Sequence, residues 1–408
     1  MRILFPYLAR WRSANRSRYH QLLGQLCLQG HQVFVLKAPP MALKDISATD
    51  LEGPMTPALP PGLVLSELYA SRALRAFWRA PIPHTKMLKK GMLAVGSADQ
   101  VRRFVTDQKI DVLLVYNLPQ VHLLDRVECR KHFDLADDLV AMMKEESGLI
   151  ARAGGRAAAR YVQRRMLARA ETVTVASSVL AEQICRPVSL LPNGADPAEL
   201  DRADGREWRA RGLGPCVGFV GAFEYWVDFD LVLGLARRLS RVAFLLVGGG
   251  RRWLEVKERV EREGLANVYL PGAVPYHQAM DYAAAMDVCL LPFTRDAVSD
   301  GSCPLKLFEY AALRKPIVST RTHEVERIGA GWVAFADDVK ETAAAVECFL
   351  ADAEAAAGAG EAGRALVEEI YNWPRLAHRF AEYLSGGRRA SDPPAASAPT
   401  SSEAASLK

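Results

Sequence analysis

Lys306 and Glu309 are the residues of this chain whose types and spacing most directly suggest chemistry. They lie in Asp300-Gly301-Ser302-Cys303-Pro304-Leu305-Lys306-Leu307-Phe308-Glu309-Tyr310-Ala311, which reads as a loop running into a helix. Pro304 suits the first helical turn, where its missing N–H costs nothing. Ser302, beside the expected N-cap, could take up one of the N–H groups a helix start leaves unpaired. A lysine and a carboxylate three apart share one helix face. Near the positive end of a helix the lysine suits a phosphate. The carboxylate one turn later could accept from a pair of sugar hydroxyls. The same two residues also read as an exposed ion pair on a surface helix, and taken alone they leave both readings open.

A second group is acidic. Asp134, Asp137 and Asp138 place three carboxylates within five residues. One of them held in a cleft would have a raised pKa and could serve as a general base. The plainer reading is a set of acids capping the next helix. A third pattern is glycine at the ends of apolar runs: Val217-Gly218-Phe219-Val220-Gly221, Ala243-Phe244-Leu245-Leu246-Val247-Gly248, and Val268-Tyr269-Leu270-Pro271-Gly272. Open α/β sheets bind ligands at the carboxyl ends of their strands, and a missing side chain lets a nucleotide approach the backbone.

The elements that must carry these residues alternate. Arg2 to Pro6 reads as a strand, Leu22 to Leu28 as a helix ended by Gly30, and His31 to Leu36 as the next strand. Further strands are expected at Val64-Leu65, Ile110 to Tyr116 and Thr172 to Ala176. A second series follows at 217–221, 243–247, 267–272, 287–293 and 316–320. This is β-α-β order twice over, with residues 197–214 read as the linker. The first turn lacks G-x-G-x-x-G, which argues against a nicotinamide enzyme.

With 408 residues, half of them apolar, the chain can build two cores. A net charge of +5 is too small to mark a nucleic-acid binder. The seven cysteines are scattered and odd in number, which argues for reduced thiols and against a zinc site. No apolar run approaches the roughly 18 residues of a spanning helix. Two stretches are basic and without acid. Arg72, Arg75, Arg79, Lys86, Lys89 and Lys90 are interleaved with Phe77, Trp78, Ile82, Met87 and Leu88, and of the six arginines from 151 to 170, Arg152, Arg156, Arg160 and Arg164 are spaced as one stripe down a helix, with Arg165 and Arg169 beside them. They read either as solvated faces or as attraction to an anionic membrane.

Taken together, these residues resemble those of GT-B glycosyltransferases, family 4 (glycosyl transferases group 1). The resemblance rests on Gly30-His31, Leu191-Pro192-Asn193-Gly194-Ala195-Asp196, Gly218 to Ala222, Gly272 to Tyr276, Asp287 to Phe293, Pro304 to Ala311 and Lys315-Pro316-Ile317-Val318. It implies an α/β fold of two Rossmann-like domains facing a cleft. Residues 1–200 would bind the acceptor and 201–370 the nucleotide sugar. Residues 371–387 would form a helix crossing back to the first domain. The resemblance stops short of residues 388–408, whose Gly/Ser/Pro/Ala-rich composition reads as a disordered tail. By the family pattern Glu309 holds the ribose and Lys306 the diphosphate. Ser302, Pro304 and Leu305 form the helix entry, Gly221, Ala222 and Gly248 admit the phosphates, and Val274 lies by the base. Gly301 departs from the family's usual glutamate, and Glu224 to Asp228 replaces an Arg/Lys grip, leaving Lys306, Arg251 or Arg252 to meet the phosphates.

The expected activity is transfer of a sugar from a UDP or GDP sugar to a hydroxyl of a glycan or lipid-linked acceptor, with no metal and no resident cofactor. Asp137 is the expected base, with Asp138 beside it. The expected place is the cytoplasm, at the inner face of the cell membrane, in cell-envelope or exopolysaccharide synthesis. An epimerase or hydrolase acting on sugar nucleotides and a degenerate nucleotide-binding subunit are the rivals.

Overall fold

The structure, a computed structural model, describes residues 1–11, 16–39, 59–80, 82, 85–143, 154–212 and 214–386. Arg152 and the segment expected as a disordered tail lie outside the described residues. The fold consists of two parallel sheets, each flanked by helices. The chain divides into two units, one built from Met1–Pro192 with the helix residues from Leu376, the other from Asn193–Arg375.

The first unit holds a seven-stranded sheet in the order β3-β2-β1-β4-β5-β6-β7. The strands are β1 (Arg2–Tyr7), β2 (Gln32–Lys37), β3 (Leu63–Glu67), β4 (Val112–Val115), β5 (Arg130–Leu135), β6 (Thr172–Val175) and β7 (Ser189–Leu190). Runs such as Ile3-Leu4-Phe5 and Val112 to Val115 are apolar without alternation because helices cover both faces. β1 pairs with β2 over its full length, Arg2 opposite Gln32 to Tyr7 opposite Lys37. Its ladder with β4 is confined to Ile3 with Val112 and Leu4 with Leu113. Beyond that point Gln120, fully buried, donates to the carbonyl of Pro6 at 2.6 Å and accepts from the amides of Tyr116 and Asn117.

β5 was hidden in the sequence because it opens Arg130-Lys131-His132 and carries Asp134, and both His132 and Asp134 are fully buried. Arg18 makes a two-pronged bond to Asp134 at 2.9 and 3.0 Å and donates to the carbonyls of Leu191 and Pro192. The Thr174 hydroxyl donates to Asp134 Oδ1 at 2.6 Å. Its oxygen must then accept from His132 Nε2, 2.8 Å away, so Nδ1 accepts from Thr172. The helix Trp373–Leu384 closes over this network, Phe380 lying edge-on to His132. The acidic trio is therefore not one group. Asp134 is core, whereas Asp138 accepts from the amides of Val140 and Ala141 in the turn that follows.

The second unit repeats the winding: β10-β9-β8-β11-β12-β13. Its strands are β8 (Cys216–Val220), β9 (Ala243–Val247), β10 (Val268–Gly272), β11 (Val288–Leu291), β12 (Ile317–Ser319) and β13 (Val333–Phe335). β7 and β13, two and three residues long, escaped sequence reading. The linker expected at 197–214 is overturned. Short helices form at Pro197–Leu200 and Arg206–Arg209, Arg364 binds Asp201, and buried Trp208 packs edge-on against Tyr269 and Tyr282. Charged and glycine-containing residues masked that apolar anchor.

Candidate functional site

The order of the second sheet reverses between β8 and β11, and ligands of open α/β folds bind outside the carboxyl ends of the strands at such a point. The β8–β11 ladder stops at Gly218 with Cys289. Two residues on, the Val220 amide donates instead to the hydroxyl of Tyr310, at 2.7 Å. Tyr310 is fully buried, and its burial holds the phenol well above its usual pKa. It belongs to the helix Leu305–Ala312, so one hydrogen bond ties the helix bearing Lys306 and Glu309 to the end of β8. Sequence reasoning passed over Tyr310; its place next to Glu309 on a short apolar helix was the available signal. Tyr310→Phe should leave the Val220 N–H buried without an acceptor. The expected loss is about 1–3 kcal/mol of stability, read by urea unfolding.

Lys306 Nζ forms an ion pair with Glu309 Oε2. The pair is not the exposed one of the plainer reading, because Glu309 is 3% exposed and Lys306 21%. Lys306 also lies 5.8 Å from the centre of the Tyr276 ring, which brings the loop carrying Val274 to the same helix. Pro304 is the N-cap residue itself, one position before the expected first turn. The cap expected of Ser302 is not made. Its hydroxyl donates back to the Ser299 carbonyl at 2.9 Å, closing the preceding helix Ala297–Asp300. Asn193, named above only as part of the run that carries the resemblance, clamps this entry: its side-chain amide donates to the Cys303 carbonyl.

The glycine turns behind the helix are packed against each other. Gly248 sits at φ 145°, and a Cβ there would lie 1.8 Å from the Gly221 carbonyl oxygen. The Gly221 amide donates to Val247 and that of Gly248 to Gly272, each at 2.9 Å. Ala222 continues the same loop. Arg251 pairs with Glu224 at 3.1 Å, and Arg252 binds Glu255 at 2.7 Å and the Val227 carbonyl at 3.0 Å. Both arginines are thus engaged by protein oxygens, and Asp228 caps the helix Phe229–Arg238.

Asp137 belongs to the other unit, exposed just beyond the end of β5. Burial first, then the Asp134 charge, hold the Tyr19 phenol well above its usual pKa, and Asp137 adds to the effect. At the carboxyl ends of β1 and β4 lies an aromatic cluster that the sequence did not disclose. Tyr7 is 5.5 Å from Tyr116, and Trp11 stacks on His20 at 4.0 Å. His20 Nδ1 meets Ser17 Oγ at 2.7 Å. Aromatic residues directly after apolar strands, Pro6-Tyr7 and Val115-Tyr116, were the legible signal.

Comparison with known proteins adds to this geometry. Residues 214–352 match the family described as glycosyl transferases group 1. The chain is 32% identical over 164 residues to a GDP-mannose-dependent alpha-(1-6)-phosphatidylinositol monomannoside mannosyltransferase of Mycolicibacterium smegmatis, covering 38% of this chain and 43% of that protein. It is 27% identical over 172 residues to a Bacillus subtilis glycosyltransferase assigned to teichuronic acid biosynthesis, covering 38% and 42%. The chain thus spans about two fifths of the length of the curated relatives it matches. Its fold is similar to that of sucrose-phosphate synthase from Thermosynechococcus elongatus, at TM-score 0.72 and 16% identity over 94% of this chain and 98% of that one. It is also similar to Anabaena HepE solved with UDP and glucose, at TM-score 0.66 and 14% identity over 94% and 99%.

Proposed function

From the premise that this chain is a group 1 glycosyltransferase on the GT-B scaffold, we propose that it moves a sugar from a nucleoside diphosphate sugar to a hydroxyl group. The donor is a UDP or GDP sugar, and the acceptor a glycan or lipid-linked acceptor of envelope or exopolysaccharide synthesis. The observation that carries this reading is the buried Glu309 carboxylate paired to Lys306 on a helix anchored at the switch point of the second sheet. A relative named for GDP-mannose and a neighbour solved with UDP and glucose support a nucleoside diphosphate donor.

Lys306 turns to the diphosphate when donor enters, and Glu309 accepts from the ribose hydroxyls. Leu305 and Lys306 present first-turn amides, which a helix start leaves without intrahelical partners. Ser302 and Pro304 shape that entry, the backbone of Gly221, Ala222 and Gly248 flanks the phosphates, and Val274 lies beside the base. The acceptor oxygen bonds to the anomeric carbon as the bond from that carbon to the diphosphate oxygen breaks. The leaving nucleoside diphosphate keeps the electron pair, stabilised by Lys306 and the amides. Asp137 takes the acceptor proton. The donor is a substrate, and no metal or resident cofactor enters this scheme. The setting of this scheme is the cytoplasm.

Calorimetry and turnover test this. Lys306→Ala should weaken UDP or GDP binding at least about tenfold, the value of one charge-assisted contact. Asp137→Asn should spare binding and lower turnover by about 10²–10⁴. The reading fails if neither diphosphate binds and no donor is consumed with any glycan acceptor. Conversion of donor without acceptor would assign the site to an epimerase or hydrolase instead.

A further inference from the structure

The basic stretches of the first unit take no part in the scheme above. The helix Lys86–Gly96 buries Leu93 and Ala94 but leaves Leu88, Met92 and Val95 at 57%, 42% and 54% exposure. These three recur at i, i+4 and i+7, one stripe of a helix. Nothing acidic lies between Ser71 and Gly91. Arg72 and Arg79 on the preceding helix Arg72–Arg79 are exposed. Lys89 is used internally, donating to the carbonyls of Trp78 and Ala80 and so fixing the two helices together.

The second stretch meets the first. The helix Arg156–Arg169 and the helix Lys86–Gly96 both pack on the short helix Val121–Leu124 and on the turn Leu118–Gln120 before it. Arg165 and Arg169 are drawn to Asp125, whereas Arg156, Arg160 and Arg164 form an exposed stripe beside Tyr161, itself 67% exposed. Two basic runs separated in sequence are therefore carried by helices that pack on one short helix, and one of these helices also bears the exposed apolar stripe.

We propose that this face docks on an anionic lipid bilayer. Leu88, Met92 and Val95 enter the interface, and Arg72, Arg156, Arg160 and Arg164 meet the headgroups. An apolar stripe bordered by cations is the pattern of a helix lying in a membrane surface, and the charge selects an anionic leaflet. A protein partner of the same area would be expected to answer the arginines with acids at fixed positions, whereas a lipid surface needs only their sign. The inference goes beyond the transfer reaction and does not depend on it.

The test is vesicle sedimentation of the full chain without donor or acceptor. Phosphatidylcholine vesicles with about a third phosphatidylglycerol should bind it, and phosphatidylcholine alone much less. Raising salt should weaken the binding. L88S/M92S/V95S should lower partitioning about tenfold or more, and R156Q/R160Q/R164Q about fivefold for each charge removed, with a flatter salt dependence. If the triple serine variant melts differently from the native chain, Met92→Ser alone carries the same comparison. Equal binding to both vesicle types, or undiminished binding by the serine variants, overturns the proposal. So does self-association through this helix in the absence of lipid. Because nucleotide binding is measured separately, failure here leaves the donor site untouched, and the reverse also holds.

Discussion

Gly248→Ala is expected to prevent the second unit from folding and to abolish binding of any nucleoside diphosphate. The new Cβ would stand 1.8 Å from the Gly221 carbonyl oxygen and 2.9 Å from its carbon, at a φ of 145° that side chains rarely tolerate. Neither strand end can give way, since the amide of Gly221 is held by Val247 and that of Gly248 by Gly272. Phe223 crowds the same point, its ring 3.3 Å from the added atom. Overlap with fixed backbone adds to the strain of the dihedral itself, so the loss should exceed about 4 kcal/mol. Gly264→Ala is the comparison. That glycine ends the helix Trp253–Glu263 at φ 63° with nothing within 4 Å, and only the left-handed strain of about 1–2 kcal/mol should appear. Thermal unfolding of the two variants decides it: equal, small shifts would show that the Gly221–Gly248 contact is not a constraint.

Acid should destabilise the first unit in two separable windows. Burial lowers the pKa of His132 from 6.5 to about 4, against the pull of Asp134. The unfolded chain therefore takes up a proton below about 6.5 that the folded chain refuses until about 4. Stability rises with pH across that interval and is lost as pH falls through it, by up to about 3 kcal/mol. Asp134 acts lower. Burial alone would raise its carboxyl, but the Arg18 charge and the bonds from Arg18 and Thr174 outweigh it and hold the group below its usual 3.8. Its contribution is present above the unfolded value and lost as pH falls through the depressed one. Arg18→Met should cost about 3–5 kcal/mol at neutral pH, because it strands a buried carboxylate. Urea unfolding from neutral to acid pH measures both. A flat profile between about pH 6 and 4 would remove His132 from the account.

Much of this was legible because parallel sheets write long apolar runs and glycine marks their ends. The elements of the candidate site, from Gly221 to the helix holding Lys306 and Glu309, follow from that pattern. What stayed hidden was polar and buried. His132 and Asp134 break the apolar run of β5, and nothing local tells that Arg18, more than a hundred residues earlier, pairs with one of them. The trio of acids looked like one feature only because sequence distance does not separate a strand residue from the loop after it. Trp208 sat among charges and glycines that read as linker. Ser302 shows the opposite error: a side chain suited to cap one helix closes the previous one. Each miss concerns a partner chosen by tertiary packing, which spacing along the chain does not encode.

The parting of the central strands has a further meaning. Pro6 follows Leu4, the last residue of β1 paired to β4, by two positions, and Val220 follows Gly218, the last of β8 paired to β11, by the same two. A parallel pair left alone would go on zipping. In the first sheet proline has no N–H to offer, so a donor suffices, and Gln120 supplies one. In the second the valine brings an N–H that requires an acceptor, and Tyr310 supplies it. In each sheet a side chain thus stands where the next ladder bond would form, Gln120 at the Pro6 carbonyl and Tyr310 at the Val220 amide.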